Sequence, residues 1–212
     1  MDSFIASCRI SYFGGESELK LICISGKAGH GKDTAAMILK NGLEIDGYNV
    51  LITHYADLLK YICRTFFDWN GEKDENGRKL LQYVGTNVVR NKNPDYWVDF
   101  VVNIIHLFYD EWDYVIIPDC RFQNEIDLMR KSGFDTTHIR IVRRNFKSPL
   151  TIEQQRHPSE TALDGCVPDY YIYNDGTISD LRLYIENWIV EITGSHQLRL
   201  NESLELENKH EQ

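Results

Sequence analysis

A glycine-rich stretch near the amino end has almost the spacing of a phosphate-binding loop. Residues 26–34 read GKAGHGKDT, against the pattern Gly, four residues, Gly-Lys, then Ser or Thr. Such a loop points backbone N–H groups at an anion, helped by the dipole of the following helix, and Lys32 would reach the phosphates. The alternative is an ordinary tight turn between a strand and a helix. Three glycines followed directly by lysine favour phosphate binding.

The departure from the pattern is Asp33, which stands where a hydroxyl is expected, with Thr34 one position later. A carboxylate can hold Mg²⁺ directly or through a water, since this ion prefers oxygen ligands and keeps several waters. The added negative charge beside phosphates favours the contact through water. Asp33 is therefore a candidate metal ligand.

A second candidate lies in the stretch IPDCR, residues 117–121. Asp119 could orient Mg²⁺ or the attacking oxygen, as phosphoryl-transfer enzymes require, or it could cap the next helix. Arg121 lies where we expect that helix to begin, and a cation there opposes the helix dipole. This mismatch favours a role for Arg121 in binding an anion.

A basic segment begins at Arg143 and Arg144 and extends to Arg156 and His157. We expect a flexible lid over residues 144–165 that closes on a transferring phosphoryl group and neutralises its charge. A solvated loop is the alternative. His157 is not needed as a general base, because a phosphate acceptor is already ionised at neutral pH.

Alternating apolar and amphipathic segments predict an α/β fold, with a five-stranded parallel sheet covered by helices on both faces. Ligands in such folds lie at the carboxyl ends of the strands. We expect strands at residues 19–25, 49–53, 114–117, 138–142 and 170–173. We expect helices at residues 33–45, 57–66, 78–90, 95–108, 121–131 and 177–192.

Length and composition indicate one globular domain. The 212 residues carry a net charge of −9, which argues against a stable nucleic-acid partner. Five scattered cysteines lack metal-ligand spacing, and no segment is apolar enough to suggest a membrane partner. These features predict a cytoplasmic protein. We expect a loose leader at 1–18, a kinase-like domain at 19–193 and a polar tail at 194–212.

Six motifs occur in order: GKAGHGKDT, GTNVVR, YWV, IPDCRFQNE, HPSE and YNDGT. With them the chain resembles the deoxynucleoside monophosphate kinases of bacteriophages, a branch of the P-loop nucleoside monophosphate kinase superfamily, over residues 19–192. The resemblance implies a three-layer α/β/α P-loop fold with a helical acceptor-binding region. It also implies transfer of the ATP γ-phosphoryl to a dNMP with Mg²⁺, and it makes Asp33 a family trait.

The resemblance assigns roles position by position. The ATP cradle is Gly26, Lys27, Ala28, Gly29, His30, Gly31, Lys32, Asp33 and Thr34, with Asn174 and Asp175 bordering the adenine. The acceptor contacts are Asp57, Lys60, Arg90, Trp97, Arg121, Glu125 and Glu160. The catalytic side chains are Lys32, Asp119, Arg121, Arg143 and Arg144, and the metal ligands are Asp33 and Asp119. Trp97 also falls on the apolar stripe of its helix, so core packing is an equal alternative for it.

Two other functions fit the same motifs. A related small-molecule phosphate kinase, similar to the animal phosphomevalonate kinases, shares the GKD loop and an Asp-x-Arg after a strand. A regulatory module that binds ATP without transferring it is the third interpretation, although the acidic balance and the arginines at strand ends speak against it. Either a monomer or a homodimer is compatible with the sequence.

Overall fold

Five parallel strands form a single sheet in the computed structural model, which describes residues 19–194. The strands are β1 (Lys20–Ser25), β2 (Val50–Ile52), β3 (Tyr114–Cys120), β4 (Asp135–Val142) and β5 (Tyr170–Tyr173). Their spatial order is β2-β3-β1-β4-β5, and each neighbouring pair is parallel. The predicted α/β fold with a five-stranded parallel sheet is confirmed. The predicted leader and residues 195–212 of the predicted tail lie outside the described residues.

Helices connect the strands and cover both faces of the sheet. They are α1 (Lys32–Ile45), α2 (Ala56–Phe66), α3 (Glu75–Gln82), a π-helix (Tyr83–Arg90), α4 (Tyr96–Leu107), a 3₁₀ turn (Tyr109–Glu111), α5 (Gln123–Lys131), α6 (Ile152–Arg156), α7 (Pro158–Thr161) and α8 (Ile178–Thr193). None of the described helices has both the length and the apolar character needed to cross a bilayer.

The central strand β1 supplies both cores, because successive side chains of a strand point to opposite faces. Ile22 and Ile24 pack into the core beneath α1 and α8. Leu21 and Cys23 pack into the opposite core, beneath α4 and α5. The sheet is thus buried on both faces, as its nearly continuous apolar strands predict.

Strand β3 is longer than the sequence predicts, since it passes through Pro118 and ends at Cys120. Proline lacks the amide that a central strand must donate. The neighbouring β2 is already finished there, since its last pair joins Ile52 to Ile116. On the other side, the register with β1 shifts between Cys23 and Ser25. These two features accommodate Pro118 and place Asp119 inside the strand.

The helix predicted from Arg78 begins three residues earlier, at Glu75, and becomes a π-helix at Tyr83. Asp74 precedes it and caps it by accepting a hydrogen bond from the amide of Gly77 at 2.7 Å, as aspartate at this position commonly does. A small third core lies beneath this helical region and consists of Cys63, Trp69 and Val84.

Replacing Gly77 with alanine is expected to destabilise the protein by about 1–3 kcal/mol, through overpacking. A Cβ at this buried position would lie 2.7 Å from Nε1 of Trp69, and Trp69 is fixed by its own hydrogen bond to the carbonyl of Glu72. The measurement is the free energy of unfolding in urea. Asn76→Ala is the matched control, since Asn76 is exposed in the same turn and alanine favours helices by up to about 0.7 kcal/mol. Equal or higher stability of Gly77→Ala would contradict this packing.

Candidate active site

The glycine-rich loop joins β1 to α1 at the carboxyl edge of the sheet. Gly29 and Gly31 have φ angles of 80° and 93°, a region that glycine adopts without strain. A Cβ on Gly29 would also lie 2.6 Å from Cε1 of Phe146. Helix α1 begins directly after Gly31, so its first amides, which have no partner within the helix, face the loop. The loop therefore has the backbone of an anion cradle.

Lys32 is buried in this loop with 8% of its surface exposed. Its Nζ donates to the carbonyl oxygen of Lys27 at 3.1 Å and forms no ion pair within residues 19–194. Burial, reinforced by the positive charge of Arg121, lowers the pKa of Lys32 to about 8. An anion in the loop would supply the counter-charge that this ammonium group lacks.

A cavity of about 260 Å³ opens beside Lys32 at the carboxyl ends of the strands. Nine of the residues predicted for the site line it: Lys32, Asp33, Lys60, Arg90, Trp97, Asp119, Arg121, Glu125 and Glu160. The other predicted residues lie outside its lining, namely residues 26–31 of the loop, Thr34, Asp57, Arg143, Arg144, Asn174 and Asp175. The cavity thus gathers most of the predicted catalytic and acceptor residues. Asn174 and Asp175, which were expected at the adenine, lie outside its lining.

Asp119 connects β3 to the start of α2. Its two carboxylate oxygens accept hydrogen bonds from the amides of Tyr55 and Ala56, each at 3.0 Å. The alternative in which Asp119 caps the following helix α5 is therefore wrong, since α5 is capped at Phe122 with the help of Glu125. Asp57, in the first turn of α2, accepts a hydrogen bond from the amide of His54 at 3.2 Å. Asp119 instead fixes the amino end of α2 at the rim of the cavity.

Glu125 and Arg90 form a buried ion pair in the cavity wall, with Oε1 and Nη1 at 3.0 Å. The other oxygen of Glu125 accepts from the amides of Arg121 at 2.6 Å and Phe122 at 3.0 Å. Burial raises the pKa of Glu125 to about 7, while the charge of Arg90 opposes that rise. The guanidinium of Arg90 also lies 3.7 Å from the ring centre of Phe122 and donates to Asn124. Arg90 is thus held in one orientation before any substrate enters.

Trp97, for which the sequence left two interpretations, is mainly a core residue. Only 4% of its surface is exposed, within the core beneath α4 and α5. Its Nε1 donates to the carbonyl of Gly85 at 3.0 Å, and one edge of the ring reaches the cavity wall.

Glu160 belongs to α7, and its side chain lies against the glycine-rich loop. Its Oε2 accepts from the amide of Ala28 at 3.2 Å, and its Oε1 pairs with Arg121. Lys27 donates to the main-chain oxygen of the same glutamate. The carboxylate thus contacts two of the groups that were predicted to bind phosphate, and its side chain is 7% exposed.

The predicted lid contains the two short helices α6 and α7. Thr151 caps α6 through the amide of Gln154, and His157 caps α7 through the amide of Ser159. Lys27 and Asp164 form an ion pair at 2.5 Å between the loop and this segment. The region is therefore folded against the loop, although the sequence suggested an irregular connection.

Four of the predicted residues lie together beyond α1, next to β5. Arg144 pairs with Asp175 at 2.5 Å and lies 4.8 Å from the ring centre of Tyr173. Asn174 donates to the carbonyl of His30 in the loop at 3.0 Å. Arg143 lies 4.7 Å from the ring of Phe146. They form a polar and aromatic border on the far side of the loop from the cavity.

His54 also lines the cavity, although the sequence assigned no role to it. Its Nε2 lies 3.6 Å from Oδ1 of Asp33 and its Nδ1 lies 3.3 Å from Oδ2 of Asp57. The interaction with Asp33 raises the pKa of His54 and correspondingly lowers the pKa of Asp33. Its place directly after β2 was the available signal, since ligands gather at strand ends.

The two predicted metal ligands are compatible with Mg²⁺, a cation that is bound by one or two carboxylates together with substrate phosphates. Asp33 has 80% of its side chain exposed. Each oxygen of Asp119 retains a lone pair after its amide bond. Within residues 19–194, no three His, Cys, Asp or Glu side chains converge as a metal-binding group.

Comparison with known proteins finds one family model, described as deoxynucleotide monophosphate kinase, which matches residues 54–185. The deoxynucleotide monophosphate kinase of Enterobacteria phage T4 is 35% identical over 120 residues, 56% of this chain and 47% of its own length. That of Escherichia phage RB69 is 28% identical over 162 residues, 73% of this chain and 64% of its own. This chain therefore spans about half to two thirds of these relatives. A protein of Acanthamoeba polyphaga mimivirus is 30% identical over 187 residues, 76% of this chain and 91% of its own.

Among solved structures, APS kinase of Mycobacterium tuberculosis in complex with AMPPNP and APS is 14% identical. The similarity covers 81% of this chain and 98% of that chain, with a TM-score of 0.46. Shikimate kinase of Aquifex aeolicus is 12% identical, with 82% and 99% covered and a TM-score of 0.46. Similarity at this level concerns the arrangement of the chain and nothing that it binds.

The lowered pKa of Lys32 predicts that ATP binding weakens as the pH rises above about 8. Above that pH the ammonium group loses its proton in the free protein, so binding must restore it, at a cost of up to about tenfold in affinity per pH unit. Calorimetric titration with ATP between pH 7 and 10 measures this. Lys32→Arg is the control, because arginine stays charged. The same pH dependence in Lys32→Arg and in the unaltered protein would contradict a contact between Lys32 and the phosphates of ATP.

Proposed function

Because the chain belongs to the deoxynucleotide monophosphate kinase family, we propose that it transfers the γ-phosphoryl group of ATP to a deoxynucleoside monophosphate, giving ADP and dNDP. The observation that carries the proposal is one cavity lined by cations from three elements: Lys32 of the loop, Arg121 after β3 and Arg90 of the π-helix. Phosphoryl transfer between two phosphate-bearing molecules requires positive charge beside each molecule and beside the phosphoryl group that passes between them.

In this proposal the loop is the donor end. The amides that follow Gly29 and Gly31, together with Lys32, hold the β- and γ-phosphates of ATP. Asn174 and Asp175 border the adenine on the other side of the loop. Their support is the hydrogen bond from Asn174 to the loop carbonyl of His30, which joins that border to the cradle.

Arg90 is the acceptor end. Its hydrogen bonds to Glu125 and Asn124 engage one hydrogen of each terminal nitrogen, and the guanidinium has five in all. The remaining N–H groups can bind a phosphate in the bidentate manner that suits arginine. The acceptor phosphate is ionised at neutral pH, so the reaction needs no general base.

Arg121 lies between these two ends in the proposal and stabilises the charge of the transferring group. Asp33 and Asp119 would hold Mg²⁺, which neutralises phosphate charge and orients the donor when it is bound. The roles of Asp57, Lys60, Glu125 and Glu160 as acceptor contacts stay predictions. The same holds for catalysis by Arg143 and Arg144, whose side chains lie outside the cavity lining.

The proposed reaction takes place in the cytoplasm, where ATP and deoxynucleotides are available, and involves neither a membrane nor a nucleic-acid partner. Either a monomer or a homodimer can perform it, since every proposed site residue comes from a single chain.

The test is ADP release with ATP and Mg²⁺ against a panel of dAMP, dGMP, dCMP and dTMP, with phosphomevalonate as a competing acceptor. We expect turnover of at least one dNMP, and a loss of about 10²–10³-fold in kcat for Lys32→Ala, the scale of removing one transition-state contact. Lys79→Ala is the control, because Lys79 is exposed, lies outside the cavity lining and pairs with Glu75. Turnover of phosphomevalonate alone, or full activity of Lys32→Ala, would refute the proposal.

A further inference from the structure

Four polar residues at four-residue intervals run along one face of the helix that borders the cavity. Helix α3 passes into the π-helix without a break, and Gln82, at the junction, has helical angles of −65° and −44°. Residues four apart share a helix face, and the wider turn of a π-helix keeps such residues aligned. All four line the cavity: Arg78, Gln82, Thr86 and Arg90.

The members of this row differ in how they are bonded. Arg90 is engaged by Glu125 and Asn124. The side chains of Gln82 and Thr86 form no hydrogen bond within residues 19–194, although both are half-buried. Half-buried polar groups that face a cavity without a protein partner are placed to bind a ligand or water.

The helix is also fixed against its neighbours, so the row has a defined position. The carbonyl of Gly85 accepts from Trp97 at 3.0 Å. A Cβ on Gly85 would lie 2.7 Å from Cδ2 of Leu59, which shows how closely the π-helix approaches α2. The apolar part of the cavity lining includes Leu59, Leu81 and Leu150, as suits a flat ring.

The length of the row matches the acceptor. Eight residues separate Arg90 from Gln82, which corresponds to about 9–12 Å, since an α-helix rises 1.5 Å per residue and the wider turn of a π-helix rises less. This is the scale of an extended nucleoside monophosphate. With its phosphate at Arg90, the sugar lies near Thr86 and the base near Gln82.

We propose that Gln82 binds the base of the acceptor nucleotide. This rests on the proposed function only in taking Arg90 as the phosphate end. A side-chain amide offers one acceptor oxygen and two donor hydrogens, and nucleobase edges present neighbouring donors and acceptors. Because no partner within residues 19–194 fixes the orientation of the amide, it can turn its oxygen or its hydrogens toward a given base atom, so it contributes affinity for every base.

The test is equilibrium binding of each dNMP and of deoxyribose 5-phosphate, which keeps the sugar and phosphate but has no base. Gln82→Ala is expected to weaken every dNMP about tenfold, the loss of one or two neutral hydrogen bonds, and to leave deoxyribose 5-phosphate unchanged. Gln82→Glu can only accept, so it is expected to favour dCMP and dAMP, which carry amino groups, relative to dTMP. The affinities are compared as ratios between dNMPs, because repulsion between the new carboxylate and the nucleotide phosphate is common to all of them and cancels.

Asn87→Ala is the matched control, since Asn87 lies on the exposed face of the same π-helix. Equal weakening of deoxyribose 5-phosphate by Gln82→Ala would show a structural role and overturn the inference, and so would unchanged dNMP affinity. A wild-type chain that binds no dNMP overturns both proposals. Binding with the expected Gln82 pattern but without phosphoryl transfer refutes only the proposed function.

Discussion

The buried ion pair between Glu125 and Arg90 is the contact on which the geometry of the cavity depends. One carboxylate orients the guanidinium of Arg90 and also holds the amides of Arg121 and Phe122, so it joins the π-helix to the end of β3. Replacing a buried pair with apolar residues is often neutral for stability, whereas removing one partner costs about 3–5 kcal/mol. The pair is therefore better understood as fixing two arginines relative to each other than as stabilising the fold.

Most of the fold could be predicted from local pattern. Short apolar runs gave the five strands, and apolar residues at helical spacing gave the main helices. The structure differs from the prediction where contacts between residues distant in the sequence determine the local conformation. Strand β3 continues through Pro118 because β2 has already ended beside it. The π-helical turn at Tyr83–Arg90 leaves no mark in the apolar spacing, since the residues that fix it, Leu59 and Trp97, belong to other helices.

The candidate site was predictable where a residue type conflicted with its place in the chain. Lys32 in a glycine-rich turn and Arg121 before a helix are such conflicts, and both line the cavity. Gln82 and Thr86 caused no conflict, because polar residues are ordinary on a helix surface. Only the packing of α2 against the π-helix shows that this surface faces inward. Asp119 was predicted from its place at the end of a strand, but its partners could not be, since the amides of Tyr55 and Ala56 lie 64 and 63 positions away in the sequence.

The position of Glu160 means that anion binding at the loop is an exchange. An anion that takes the amide of Ala28 and the guanidinium of Arg121 must displace a carboxylate already there. The affinity then reflects the difference in free energy between binding the incoming anion and binding the carboxylate of Glu160. The net charge at the loop therefore changes by less than the charge of the incoming anion. Its dependence on salt is correspondingly shallow. The displaced carboxylate belongs to α7, within the predicted lid.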